Sequence, residues 1–294
     1  MISKMTRRAL VITGAAVLLA ACTGQSSPEA SDRDLADVVS EFASALSPRA
    51  PYRIPGLAER SDAAAEILAV LENHQPGVEA EKLGRLGFTV TQGMDSVTGR
   101  RYVLIASRPG DERGWGFFLI DQEAPRLVVE VPHPGSDLHT EKSGIALYRQ
   151  HPGSVLLMAG AHRRAGDRAA DVAHREDTVF HAVAAELMRS RLPQLQIHGF
   201  DDDSLPDKDV IISAGAGKAT AAHRDTATAL EDANFSVCRS WSESCGDLEG
   251  KTNVQGRLAA QFETPFVHLE TNRATRDDAE RQAALVKALG VFTQ

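Results

Sequence analysis

Positive charge, cysteine and long apolar runs are all scarce in this chain, and each scarcity excludes something. Its 32 Lys and Arg stand against 40 Asp and Glu, a formal charge of −8. No basic run or aromatic ladder offsets that balance, so nucleic acid is not an expected partner. Only one apolar stretch, near the start, is long enough to notice, and no second hydrophobic span follows it. There is no internal repeat, which excludes a repeat array. Three cysteines leave no second pair to complete a thiolate metal site. Familiar catalytic signatures are missing too. No His-Glu-x-x-His helix is present, and no Gly-x-Ser-x-Gly elbow, so Ser136 is a weak nucleophile candidate despite nearby Asp137. The glycine-rich residues 213–220 fail as a phosphate loop. Ile212 stands where the first glycine belongs, and Ala219 where the magnesium-binding hydroxyl belongs.

What is present begins with a leader. Lys4, Arg7 and Arg8 precede an apolar stretch from Ala9 to Ala21 that is too short to span a bilayer comfortably. It closes on Leu19, Ala20, Ala21 and Cys22, which resembles the lipobox of bacterial lipoproteins, where that cysteine becomes the acylated first residue. Residues 1–21 are therefore expected to be a signal peptide and residues 22–32 a flexible, lipidated tether. The protein is expected to be exported and held by lipid at Cys22, at the outer face of the cytoplasmic membrane or in the periplasm. Cys238 and Cys245 then remain as an even pair, which in an exported protein favours a disulfide.

After the tether, residues 35–46, 62–73 and 79–86 read as helices, with Ser61 as N-cap of the second. Residues 33–100 are expected to form a helical extension packed on a main domain of residues 101–294. From Arg101 the pattern changes. Residues 102–106, 116–120 and 127–131 read as strands separated by short turns, an antiparallel entry to a sheet. Strands at 155–158, 195–197, 210–212, 235–237 and 266–269 then alternate with helices at 145–150, 178–191, 219–233 and 277–289. Asp177 is the expected cap of the 178–191 helix, which must end before Pro193. About eight strands with interleaved helices predict a single α/β domain of three layers, a mixed sheet with helices on both faces.

The chemistry gathers where strands end. In an open α/β sheet, ligands sit beyond the carboxyl ends of the strands. The valine-rich run 127–131 stops at Pro132 and leads to His133 and Asp137. The strand at 155–158 leads to His162, Arg163 and Arg164; that at 195–197 to His198; and that at 266–269 to Glu270, with Arg276 close behind. If these strands are mostly parallel, all four clusters meet along one edge. Two histidines and one carboxylate with an open fourth position make a catalytic zinc site. His133, Asp137 and His198 are the expected ligands of one zinc ion, and Glu270 the expected base. Duller roles exist for each: a hydrogen-bonded histidine, a helix cap for Asp137, an ion pair between Glu270 and Arg276. Glu141 is the rival carboxylate ligand.

These residues also resemble a known group. Pro132, His133, Pro134 and Gly135 through Thr140 and Glu141, then His198 and Gly199, then Leu269 and Glu270 followed by an arginine, resemble the zinc amidohydrolases around N-formylglutamate amidohydrolase. They are similar as well to the poly-γ-glutamate hydrolases, distant relatives of the zinc carboxypeptidases. The resemblance runs over about half the chain, from Leu127 to Arg276, and its motifs are short. It implies zinc bound by His133, Asp137 and His198, with Glu270 as catalytic base. The segment from His162 to His174 resembles the region that supplies a substrate-binding arginine, implying Arg164 or its neighbour Arg163. One departure stands out. The carboxypeptidases place the carboxylate three residues after the first histidine, where this chain has Ser136, and Asp137 lies one further on. The expected activity is hydrolysis of an amide bond in a carboxylate-bearing substrate, a peptide, an acyl-amino acid or γ-glutamyl material. Arg163, Arg164 or Arg276 would hold the carboxylate. A lipoprotein that binds a ligand or partner on the same fold without catalysis is the alternative, and two histidines with a carboxylate suit other divalent ions as well.

Overall fold

The computed structural model describes residues 33–73 and 76–293. The expected signal peptide at 1–21, the expected lipidation site Cys22 and the expected tether at 22–32 lie outside the described residues. Among the described residues, no helix is long and apolar enough to cross a membrane.

The centre is a nine-stranded mixed sheet. In chain order its strands are β1 (Phe88–Met94), β2 (Arg101–Ser107), β3 (Phe117–Asp121), β4 (Leu127–Val131), β5 (Ser154–Met158), β6 (Gln194–Gly199), β7 (Val210–Ser213), β8 (Val237–Arg239) and β9 (Phe266–Thr271). They lie side by side as β1-β2-β3-β5-β4-β6-β9-β7-β8. The block β5-β4-β6-β9 is parallel throughout, so four carboxyl ends open on one edge. On one flank β1, β2 and β3 run against their neighbours; on the other, β7 is antiparallel to β9 and parallel to β8. The expected α/β class and two-sided helical cover are what the chain adopts.

The helices are α1 (Leu35–Ser44), α2 (Leu57–Asn73), α3 (Val78–Arg85), α4 (Thr140–Gln150), the single turn α5 (Ala165–Arg168), α6 (Val179–Arg189), α7 (Ala221–Asp232), α8 (Val254–Phe262), α9 (Arg273–Asp277) and α10 (Ala279–Leu289). Strand alternation sorts them into two layers. In β4, Leu127, Val129 and Val131 join one core with Val39 of α1, Tyr148 of α4, Leu230 of α7 and Leu285 of α10. Val128 faces the other way, into a core with Ile67 of α2, Phe180 of α6 and Ala259 of α8. The odd-numbered face of β4 is wholly apolar; the even-numbered face also carries Glu130.

Several expectations need correction. The stretch 33–100 is not all helical: β1 joins the sheet as an edge strand, antiparallel to β2. Residues 102–131 do not form three successively paired antiparallel strands, because β5 inserts between β3 and β4. Helix α2 begins at Leu57, four residues before Ser61, which lies inside it. Helix α6 is capped by Thr178, whose hydroxyl accepts from the backbone of His181, whereas Asp177 pairs with Arg175. The strand expected at 235–237 is displaced to 237–239.

Cys238 and Cys245 form a disulfide, seven residues apart. It joins the end of β8 to the 3₁₀ turn Gly246–Glu249, where the Glu249 carboxylate accepts from the backbone of Cys245. Closing a loop of this length removes unfolded-state entropy worth about 2–3 kcal/mol. Replacing both cysteines by alanine is expected to lower unfolding stability by that order, read as a shift in the urea midpoint under oxidising conditions. An unchanged midpoint would show the bond to be neutral.

Candidate metal centre

The site lies where β4, β6 and β9 end, on the even-numbered face. Register makes the row: Glu130 of β4 is level with Gln196 of β6, and Gln196 with His268 of β9. One step along, His198 is level with Glu270. All five side chains are buried. His133 is delivered by the turn after β4. The backbone N–H of Asp137 closes onto the His133 carbonyl at 2.8 Å, a one-turn wrap that places a carboxylate four residues on against the same imidazole.

Three atoms converge. His133 Nδ1 lies 3.2 Å from Asp137 Oδ2, His198 Nδ1 lies 3.2 Å from His133 Nδ1, and His198 Nδ1 lies 3.4 Å from Asp137 Oδ2. A tetrahedral ion with bonds of 2.0–2.1 Å has ligand–ligand edges of about 3.3 Å, so this triangle fits one face of a zinc coordination sphere. The chemistry of the set fits as well. The other ring nitrogen of His133 donates to Asp171 Oδ1 at 2.8 Å, which leaves Nδ1 as the metal-facing lone pair. Burial opposes charge here, yet the neighbours decide. His133 is raised above its ordinary pKa, because Asp137 and Asp171 outweigh the burial. Burial likewise pushes Asp137 up, but the rings of His133 and His198 hold it far below the usual carboxylate range. His198 is lowered by burial to about 4, so it stands neutral and ready to ligate.

Glu270 borders the same cavity of about 300 Å³, along with Arg163, His174, Asp201, Asp247 and Asn253. Its Oε2 is buried and has no hydrogen-bond partner among the described residues. Burial first, and then the charge of Asp137, raise its carboxyl well above the usual range. An unpartnered buried carboxylate is a costly thing to keep in a fold, and here it faces the cavity.

The arginines sort differently from the sequence expectation. Arg163 lines the cavity, with Nη2 donating to Asp171 Oδ2 at 3.0 Å and a side chain 23% exposed. Arg164 is exposed and does not line it. Arg276 is buried and committed: Nε donates to the Thr271 carbonyl at 3.1 Å, Nη1 to the Leu138 carbonyl and Nη2 to the Phe200 carbonyl at 2.8 Å. It stitches three segments together and is out of a substrate's reach. A Cβ at Gly199 would fall 2.4 Å from its guanidinium carbon, so that glycine is required by the close approach.

Glu141 is likewise excluded as a ligand. It is buried in the first turn of α4, and its side chain does not border the cavity. Asp137 does not cap α4, since its Oδ2 faces the two imidazoles. The glycine-rich turn at 213–217 borders a roomier cleft of about 510 Å³. His223 there has both ring nitrogens engaged, at Thr220 Oγ1 and the Phe266 carbonyl, so the cleft offers no free chemistry from it.

Five further residues escaped the sequence reading: Glu130, Asp171, Gln196, Asn253 and His268. Three of them had a signal. Gln196 precedes His198 by two, and His268 precedes Glu270 by two, which in a strand means the same face. Glu130 sits inside an otherwise apolar run on that face. His268 packs its ring 4.7 Å from that of His198, and Gly250 gives it room, since a Cβ there would lie 2.5 Å away.

No family model matches the chain, and no curated protein matches it. Solved structures of similar fold include a bacteriophage poly-gamma-glutamate hydrolase, 14% identical, with a TM-score of 0.43 over 60% of this chain and 86% of that one. An aspartoacylase family protein from Mesorhizobium loti is 10% identical, with a TM-score of 0.39 over 68% of this chain and 67% of that one. A cell shape determinant protein from Helicobacter pylori, solved with a tripeptide bound, is 11% identical, with a TM-score of 0.39 over 58% and 52%. The likeness at these values is loose, and function rests on the cavity's own chemistry.

Proposed function

We propose that the protein is a zinc-dependent hydrolase of an amide bond in a carboxylate-bearing substrate. The observation that carries this reading is the triangle of His133 Nδ1, Asp137 Oδ2 and His198 Nδ1, with edges of 3.2–3.4 Å, beside a buried and unpartnered Glu270. His133, Asp137 and His198 would hold the zinc ion, which would supply Lewis-acid polarisation of the scissile carbonyl and a water usable as nucleophile near neutral pH. Glu270 takes the proton from the attacking water and returns it to the leaving nitrogen. Asp171 holds the His133 ring and, through Nη2, the guanidinium of Arg163. Arg163 presents its remaining N–H groups to a substrate carboxylate, a charge-assisted contact. A peptide, an acyl-amino acid or γ-glutamyl material satisfies these demands. Export and lipid anchoring at Cys22 belong to the same proposal, supported by the leader and by the Cys238–Cys245 disulfide, and they place the substrate at the cell envelope.

Metal content of the purified full-length protein tests the reading. About one zinc per chain is expected in the wild type, lost in both His133→Ala and His198→Ala. A wild-type protein that takes up no metal when zinc is offered would overturn it and leave a binding protein.

A further inference from the structure

The tautomer of His198 is decided several residues away from its ring. Asn253 is the N-cap of α8, and its Oδ1 accepts from the backbone N–H groups of Gln255 at 2.9 Å and Gly256 at 3.1 Å. The other end of that amide is therefore the nitrogen, which donates to Gln196 Oε1 at 2.5 Å. Gln255 acts from the opposite side. Its Nε2 donates to the Val172 carbonyl at 2.9 Å, which turns its oxygen toward Gln196 Nε2, 3.4 Å away. Gln196 Nε2 also donates to Glu130 Oε2 at 2.6 Å. Two amides anchored on main chain thus allow Gln196 one orientation. Its oxygen lies 2.8 Å from His198 Nε2.

An amide oxygen only accepts, so the ring proton of His198 sits on Nε2 and the lone pair on Nδ1. Nδ1 is the atom that faces His133 Nδ1 and Asp137 Oδ2. We propose that Gln196 is a positioning residue for the metal, holding His198 in the tautomer that ligates, with helix α8 as the fixed reference through Asn253 and Gln255. The role parallels that of Asp171 on His133, but with a neutral oxygen, which keeps the ligand set at one negative charge. The proposal rests on the metal reading; the tautomer itself does not.

Two variants separate positioning from packing. Gln196→Glu and Gln196→Met both lose the N–H contacts to Glu130 and Gln255, and the glutamate also sets a second carboxyl against Glu130, so a purely structural role disturbs Gln196→Glu at least as much as Gln196→Met. Only the glutamate keeps an oxygen for His198 Nε2 and Asn253 Nδ2. Calorimetric zinc titration of the full-length protein is expected to leave Gln196→Glu close to wild type and to weaken Gln196→Met by about 10–100-fold. Nitrogen NMR of the metal-free wild type is expected to show His198 protonated at Nε2. Equal zinc affinity in the two variants, or a proton on Nδ1, would overturn the assignment. A wild type that binds no zinc would overturn the hydrolase reading and with it the metal role of Gln196, whereas the NMR measurement decides the tautomer separately.

Discussion

Glu270→Gln is expected to reduce turnover by about 10²–10⁴-fold, the usual contribution of a positioned acid–base group. The substitution keeps the shape of the side chain and removes its ability to carry a proton between water and the leaving nitrogen. Zinc content should stay at the wild-type level, since the ligand triangle is built from His133, Asp137 and His198. The fold should not suffer. Burial and the charge of Asp137 already oppose ionisation of this carboxyl, so an amide relieves that tension. The measurement is hydrolysis of an acyl-amino acid or γ-glutamyl substrate by the two proteins at matched zinc loading. Retained turnover with zinc bound would remove Glu270 from the reaction.

The second large effect is on stability and depends on pH. Glu130 is wholly buried in β4, and its Oε1 has no hydrogen-bond partner among the described residues. Burial pushes its carboxyl to about 8, with the amide of Gln196 pulling modestly the other way. A folded-state value above the unfolded one means that the folded protein holds a proton the unfolded chain releases. The stabilisation is complete below the unfolded value near 4.5 and is lost as pH rises toward and through about 8. Glu130→Gln does not titrate, so its advantage over the wild type should grow across that window and level off above it. A tenfold change in proton affinity is worth about 1.4 kcal/mol, so the gap at alkaline pH is a few kcal/mol and at most about 5. Urea midpoints of both proteins at pH 5, 7 and 9 measure it. Parallel curves would show that Glu130 ionises without penalty.

Much of this arrangement is legible in the chain. Valine- and leucine-rich runs that end abruptly on histidine, arginine or glutamate announce strands whose carboxyl ends carry chemistry, and the parallel block β5-β4-β6-β9 does gather those ends. The interior of the strands is harder to read. Glu130, Gln196 and His268 are polar residues set in apolar runs, and only alternation along a strand shows that they share a face. Strand β1 was hidden for a related reason. Its Thr89, Thr91 and Gln92 belong to a half-exposed edge strand that packs little, so its hydrophobic signal is weak. Arg276 shows a different limit. The three carbonyls that occupy it come from Leu138, Phe200 and Thr271, and nothing local in the sequence brings these together. The choice between Arg163 and Arg164 is similarly made by the turn after β5, which directs one inward and leaves the other outside.

The pairing of β6 with β9 places His198 and Glu270 level with each other on adjacent strands. Their separation is thus a lattice constant of the sheet: neighbouring strands lie about 4.8 Å apart whatever side chains they bear. A ladder of main-chain bonds on both flanks resists any stretching of that spacing. His133, Asp137 and Arg163 stand on turns, which have no such ruler. Adaptation to longer, shorter or differently charged substrates therefore has its freedom on the turn side of the cavity. The strand side is the cavity's fixed wall.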